Sequence, residues 1–440
     1  MKRLKVLLFV SALLLSLSLC AQNENYKKHV DYLTSDALKG RIAGGEGERM
    51  AAAYVYRELK KYGVEMLTAE EGEGFSYLLN NGDTISSRNV YGVIPGYDPV
   101  LRNEYIVIGA HLDHLGANTL QIDGKAVEQI YRGADDNASG VAALLESAGM
   151  IASQKYLFRR SVLVAAFGAE EYGMIGSYCF LNGSFKDTSN IVMMINLDMV
   201  GRNGTDNKFR LFTGINNLPL VRLADSTAAN FTGEAPVILQ SDYFPSDHRN
   251  FYHRRIPVAL LTTGLHRDYH SIRDTPDKID YKQIENIANY TVALSMDIAN
   301  RNGKIPFGIE SYAESGKHGA SREMYYIQNE VDKRAEFLHG DENAFLEKWV
   351  YRYIKYPDIA VARGEQGNVV AEFIVERDGS VSNVVITNGL SDEIDAEVKK
   401  VILASPKWKA ARLHGKPVRV KTSVMVRFRL SSSSKFGIKK

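Results

Sequence analysis

Five stretches of this chain run apolar for six to eight residues and then break at a polar cluster. They are Asn89 to Gly96, Tyr105 to Ala110, Ser161 to Phe167, Asn190 to Leu197 and Ile256 to Thr262. Runs that are continuous rather than alternating, and partly β-branched, predict strands covered on both faces in a mostly parallel sheet. Helical spacing fills the intervals, at Arg49 to Tyr62, Val141 to Ser153 and Tyr281 to Asn300. Tyr26 to Met66 reads as helix, loop, helix, with Gly63 as a C-cap. This alternation predicts an α/β class: a mixed, mainly parallel sheet flanked by helices.

After Arg301 the pattern weakens into glycine, serine and mixed charge, which reads as a linker. A second pattern then begins. Asn343 to Tyr353 and Ile394 to Ala404 have helical spacing. Asn368 to Glu376 and Ser380 to Thr387 alternate around an Asp378-Gly379 turn, which predicts a hairpin. Val418 to Leu430 alternates as a last strand. The division expected is an export signal over 1–21, an α/β domain over 22–302, a linker over 303–330, a small α+β domain over 331–432 and a tail over 433–440.

Composition adds little. A length of 440 residues favours two domains. A net charge of +2 lends no support to nucleic-acid binding, and no phosphate-loop or dinucleotide fingerprint occurs. The start is more telling. Three positive charges within Met1 to Lys5 precede an apolar run from Val6 to Leu19, the pattern of a cleaved secretory signal. Cleavage after Cys20, cleavage after Ala21 and a lipid on Cys20 are three ways to end it. If Cys20 leaves, Cys179 has no intrachain partner, and packing and metal must stabilise an exported chain without disulfides. No later run is long and apolar enough to span a bilayer.

The polar clusters carry the chemistry. The run to Ala110 ends in His111-Leu112-Asp113-His114. His111 and Asp113 lie two apart and share a side of an extended backbone, so Asp113 is placed to accept the second ring N–H of His111; His114 reads as exposed. Asp135 and Asp136 sit between glycines before a helix, where capping needs one acid and leaves the other free. Glu170 and Glu171 follow Phe167 after Gly168 and Ala169. Asp198 follows Leu197, and Tyr269-His270 and Asp274-Thr275 follow the run to Thr262. Two histidines and three carboxylates exceed the needs of one tetrahedral zinc but suit two zincs sharing a carboxylate. One of Glu170 and Glu171 is then a ligand and the other a base.

His111-Leu112-Asp113, Gly133 to Gly140 (GADDNASG), Glu170-Glu171, Asn196 to Gly201 (NLDMVG) and Tyr269-His270 with Asp274-Thr275 resemble the exported co-catalytic zinc aminopeptidases (peptidase family M, number twenty-eight). Leu38 to Arg41 and Ser246-Asp247-His248 are softer matches. The resemblance implies a single α/β domain of about eight strands and two zinc ions. It implies that Asp135 bridges them, that His111 and Asp198 hold one, and that Glu171 and His270 hold the other. It further implies Glu170 as general base, Tyr269 at the oxyanion, Asp113 orienting His111, Asp136 and Asp274 in support, and a cis Asp135–Asp136 bond. Tyr243, Phe244 and Phe251 are candidate pocket aromatics. A glutaminyl cyclase of the same fold and a non-catalytic peptide-binding relative are the alternatives.

Tyr356-Pro357, Gly367, Phe373-Ile374-Val375, Asp378-Gly379, Pro406-Lys407-Trp408, Gly415 to Val418 and Phe428 resemble the TonB C-terminal domain. That resemblance implies a docking module for an envelope protein or peptidoglycan by strand addition. Together the two imply an exported, periplasmic Gram-negative protein acting on peptides, outer-membrane associated or secreted in the variants, with no membrane span after signal cleavage.

Overall fold

A computed structural model describes residues 24–430, apart from 80–81, 123–124, 204–207, 215–216, 241–244, 308–325, 329–330 and 414. The expected export signal, most of the expected linker, the 433–440 tail, and Tyr243 and Phe244 lie outside the described residues. The described chain falls into two compact units, 24–307 and 326–430, each with its own apolar core.

In the first unit the apolar runs are the middle of a nine-stranded sheet. Its order is Glu65–Met66, Thr84–Ile94, Ser161–Phe167, Tyr105–His111, Ile191–Leu197, Val258–Thr262, Arg210–Phe212 and Val237–Leu239, with Glu73–Leu78 paired to Thr84–Ile94. Ser161–Phe167 and Ile191–Leu197 are buried at every position, as expected of strands covered on both faces. They flank Tyr105–His111, and all three run parallel, as does Val258–Thr262 beside Ile191–Leu197. Thr84–Ile94 and Arg210–Phe212 turn antiparallel at either side of this group. Tyr105–His111 is the earliest of the four parallel strands, and its successors lie on both sides of it. That makes it a topological switch point, where open α/β sheets bind ligands beyond the strands' carboxyl ends.

The helices Glu46–Lys61, Gly140–Ser153 and Tyr281–Asn300 bury their apolar faces in this core. Tyr281–Asn300 starts where its periodicity does, capped by the Asp280 carboxylate, which accepts from the amides of Lys282 and Gln283. The edges were harder to foresee. Arg210–Phe212 and Val237–Leu239 have three residues each, too few to show a period. The stretch after His114 forms a separate hairpin, Ala117–Ile122 with Lys125–Ile130, outside the main sheet.

Arg41 joins the chain's entry to the switch point. It is 1% exposed, and its guanidinium donates to the carbonyls of Leu112 (2.9 Å), Arg132 (2.8 Å), Gly133 (3.0 Å) and Leu33. Burial lowers its pKa to about 10, so it stays charged at neutral pH beneath the acidic loops.

The second unit has the sheet order Tyr326–Ile327, Val420–Phe428, Gly367–Val375 and Val381–Asn388, with the helix Asp392–Leu403 against it. The predicted hairpin pairs Gly367–Val375 with Val381–Asn388 antiparallel. The helical period over 343–353 appears as Glu342–Phe345, a π turn Leu346–Val350, and Tyr351–Tyr353. Phe337, Phe345, Phe373 and Trp408 meet in the core, with centroids 4.9–5.8 Å apart.

The chain's two tryptophans, Trp349 and Trp408, both belong to this unit, so their fluorescence follows its unfolding. Phe345→Ala is expected to cost the unit about 3–5 kcal/mol, the usual cost of emptying a buried aromatic site. Urea unfolding followed by tryptophan emission measures it, and an unchanged midpoint would contradict this packing.

Candidate metal centre

Each apolar strand delivers its polar residue to the same place. His111 closes Tyr105–His111, Glu170 and Glu171 follow Ser161–Phe167, Asp198 follows Ile191–Leu197, and His270 lies beyond Val258–Thr262. Asp135 and Asp136 lie in the tight turn leading into Gly140–Ser153. Gly133, with φ +56°, begins that turn; a Cβ there would lie 2.1 Å from the Asp136 carbonyl oxygen. Non-glycine residues adopt left-handed backbone at Ala169, Met199 and His270, beside or within three of these donor groups. Such strain gathers where surrounding contacts fix the geometry of a site.

The Asp136 carboxylate lies at the middle. Its Oδ1 is 3.0 Å from His111 Nε2, and its Oδ2 is 3.2 Å from His270 Nε2. Asp198 Oδ1 is 3.6 Å from His111 Nε2, and Glu171 Oε2 is 3.0 Å from His270 Nε2. His111, Asp136 and Glu171 bring one donor atom each within 4.8 Å of one another.

This differs from the expected placement of Asp135. Its carboxylate faces away: Oδ1 accepts from Ser139 Oγ (2.9 Å) and the Gly201 amide (2.6 Å), while Oδ2 lies 3.2 Å from His266 Nε2. Asp136, expected in support, stands between the histidines instead. Successive residues of a tight turn aim their side chains differently, and only the turn's geometry decides which acid faces inward. The cis bond is likewise one residue later than expected, at Asp136–Asn137.

Supporting groups act through the backbone. His111 Nδ1 donates to the Asp113 carbonyl at 3.1 Å, whereas the Asp113 carboxylate is 3.8 Å away. That carboxylate instead accepts the amides of Glu170 (3.0 Å) and Glu171 (3.3 Å). Asp274 Oδ2 does the same for Asp135 (2.9 Å) and Asp136 (3.0 Å). Two buried carboxylates thus hold the two acidic pairs from beneath. Ser246 Oγ donates to the outer oxygen of Asp198 at 2.6 Å. Phe251 is fully buried and packs at a tilt against core rings, with centroids 6.1 Å from Phe167 and 6.2 Å from Phe180.

His114 overturns its reading as an exposed residue. It is fully buried, and its Nδ1 lies 2.8 Å from Glu171 Oε1. Its position three residues after His111 carried no period that would place it. His266 was likewise not anticipated.

The donor set fits metal. His111 Nδ1 gives its proton to a carbonyl, which leaves Nε2, facing two carboxylate oxygens, as the nitrogen open to a cation. Asp136 Oδ2 is buried and makes no hydrogen bond among the described residues, although His270 Nε2 is 3.2 Å away. Ring nitrogens and carboxylate oxygens face one another, and a cation, either a metal ion or a proton, must lie between them. Without metal, protons serve. Burial disfavours charge on His270, yet Asp136 and Glu171 raise its pKa to about 10. Burial pushes the Glu170 carboxyl well above its usual value, with Glu171 and Asp198 adding to the shift. Tyr269 stacks on His270 at 3.8 Å, and burial keeps its hydroxyl protonated far above the usual range.

Histidines and carboxylates gathered at the carboxyl end of such a sheet form a donor set suited to zinc. Residues 89–295 match the model of peptidase family M28, and residues 352–430 match the Gram-negative bacterial TonB protein C-terminal model. A probable zinc metalloprotease of Pyrenophora teres f. teres is 33% identical over 135 residues, 30% of this chain and 27% of that protein. Leucine aminopeptidase 1 of Ajellomyces capsulatus is 23% identical over 274 residues, 59% of this chain and 67% of that protein. The chain therefore spans only about a quarter of the first relative's length. The aminopeptidase from Aneurinibacillus sp. strain AM-1 shares the fold, with a TM-score of 0.50, 20% identity and coverage of 65% of this chain and 96% of that one.

Asp274→Ala strands two buried amide donors. At about 1–3 kcal/mol for each, it is expected to cost about 2–6 kcal/mol of stability. Chemical denaturation measures this, and a loss below about 0.5 kcal/mol, typical of inert surface changes, would contradict it.

Proposed function

We propose that the chain is an exported, periplasmic aminopeptidase that uses two zinc ions to hydrolyse the N-terminal peptide bond of peptides. The observation carrying this reading is the Asp136 carboxylate, with one oxygen toward His111 and the other toward His270. Asp136 would bridge the ions, His111 and Asp198 would complete one set, and Glu171 and His270 the other. Bound zinc supplies Lewis acidity and a water of lowered pKa. The names of the curated relatives support the substrate class, and the basic-then-apolar start together with the TonB C-terminal match supports export.

The chain's own groups do the remaining chemistry. Glu170 stands outside both ligand sets, with its backbone fixed by Asp113. It takes a proton from the attacking water and passes it to the leaving nitrogen as the C–N bond breaks. Tyr269, held protonated and stacked on His270, donates to the oxygen on which negative charge develops. The second unit is read as a docking module for an envelope protein or peptidoglycan, on the strength of its family match alone.

Glu170→Gln keeps size and removes the base. Zinc content is expected to stay at the wild-type value while kcat on aminoacyl anilides falls by about 10²–10⁴. Unchanged kcat would show that Glu170 is not the base. Conversion of N-terminal glutamine to pyroglutamate, without hydrolysis of aminoacyl amides, would sink the aminopeptidase reading itself. Asp136→Ala is expected to lose zinc; retention of two ions would refute the bridge.

A further inference from the structure

His114 is a buried histidine that touches a proposed ligand, Glu171, yet belongs to neither ligand set. Its Nδ1 is 2.8 Å from Glu171 Oε1, while Glu171 Oε2 is 3.0 Å from His270 Nε2. Glu171 is therefore held between two histidines, one at each oxygen. The tautomer follows from the surroundings. His114 Nε2 is buried and has no partner among the described residues, so a proton there would be stranded. Nδ1 faces a carboxylate, which can only accept. The proton therefore sits on Nδ1 and is donated to Oε1.

The ring has no freedom to do otherwise. It lies against Gly133, where a Cβ would come within 2.6 Å of the His114 ring atoms, so only glycine leaves room for it. Its edge meets the His270 ring at a centroid distance of 5.8 Å and an angle of 66°. Its backbone amide donates to the Arg41 carbonyl at 3.2 Å. A histidine serving only as core filler would not need its Nδ1 aimed at one oxygen of a carboxylate.

We propose that His114 is a positioning residue that ties down Glu171 Oε1, so that Glu171 presents Oε2 alone to the metal position it shares with Asp136 and His270. The proposal rests on the two-zinc reading above. An outer partner of this kind is worth about 10–100-fold in metal affinity.

The test is zinc titration of the metal-free full chain against a chromophoric chelator, with kcat and KM recorded alongside. His114→Ala is expected to weaken one zinc by about 10–100-fold and leave the other unchanged. His114→Asn places an amide N–H where Nδ1 was and is expected to recover most of that affinity; His114→Gln reaches the Nε2 position and is not. Melting temperatures of the metal-free Asn and Gln variants separate loss of fold from loss of metal. Wild-type zinc affinity in His114→Ala, or equal affinity in the Asn and Gln variants, overturns the proposal. A single zinc in the wild type would overturn the two-zinc reading. The positioning role would then stand if that zinc weakened in the Ala variant and recovered in the Asn variant, and would fall otherwise.

Discussion

Everything in the first unit answers to one electrostatic constraint: carboxylates buried around the carboxyl ends of apolar strands. Asp113, Asp135, Asp136, Asp198 and Asp274 are each at most 3% exposed, and the Glu171 side chain is 6% exposed. Ionised carboxylates in such surroundings must be hydrogen-bonded, paired or metal-bound. The chain satisfies some oxygens with neutral donors. The Glu170 and Glu171 amides serve Asp113, and the Asp135 and Asp136 amides serve Asp274. Ser139 and Ser246 serve the outer oxygens of Asp135 and Asp198. Among the oxygens left over are those that face His111 and His270, along with Asp135 Oδ2 beside His266. Asp136, Asp198 and Glu171 thus turn oxygens toward two positions for a cation.

The sheet topology makes this crowding possible. A parallel sheet lines up its carboxyl ends, and the switch at Tyr105–His111 opens a crevice between its neighbours there. Arg41 stiffens the floor by binding carbonyls of both the His111 loop and the segment just before Asp135. The same buried cation lies close enough to the acidic pairs to offset part of their charge without pairing with them. Position and compensation therefore come from the backbone, and the side chains that face the crevice remain available for chemistry.

Much of this was legible in the sequence, for a physical reason. Continuous apolar runs name buried strands, and a polar residue directly after such a run has only the sheet's carboxyl edge to occupy. That logic reached His111, Glu170, Glu171, Asp198 and His270, which the structure brings together. It could not choose between Asp135 and Asp136, because both lie in one tight turn and no periodicity operates there. It missed His114, whose burial depends on Gly133 and Arg41, residues distant in sequence or selected for backbone shape. It assigned the Asp113 carboxylate to His111, whereas the main-chain carbonyl does that work and the carboxylate serves the next strand's loop. Short edge strands and the exposed hairpin after Gly116 lack the apolar signal that made the centre readable.

Diffraction at the zinc absorption edge from crystals of the intact chain tests the central claim most directly. Two anomalous peaks about 3.5–4 Å apart are expected on either side of the Asp136 carboxylate, one beside His111 and Asp198 and one beside Glu171 and His270. A single peak, or peaks gathered around Asp135 and His266, would contradict it.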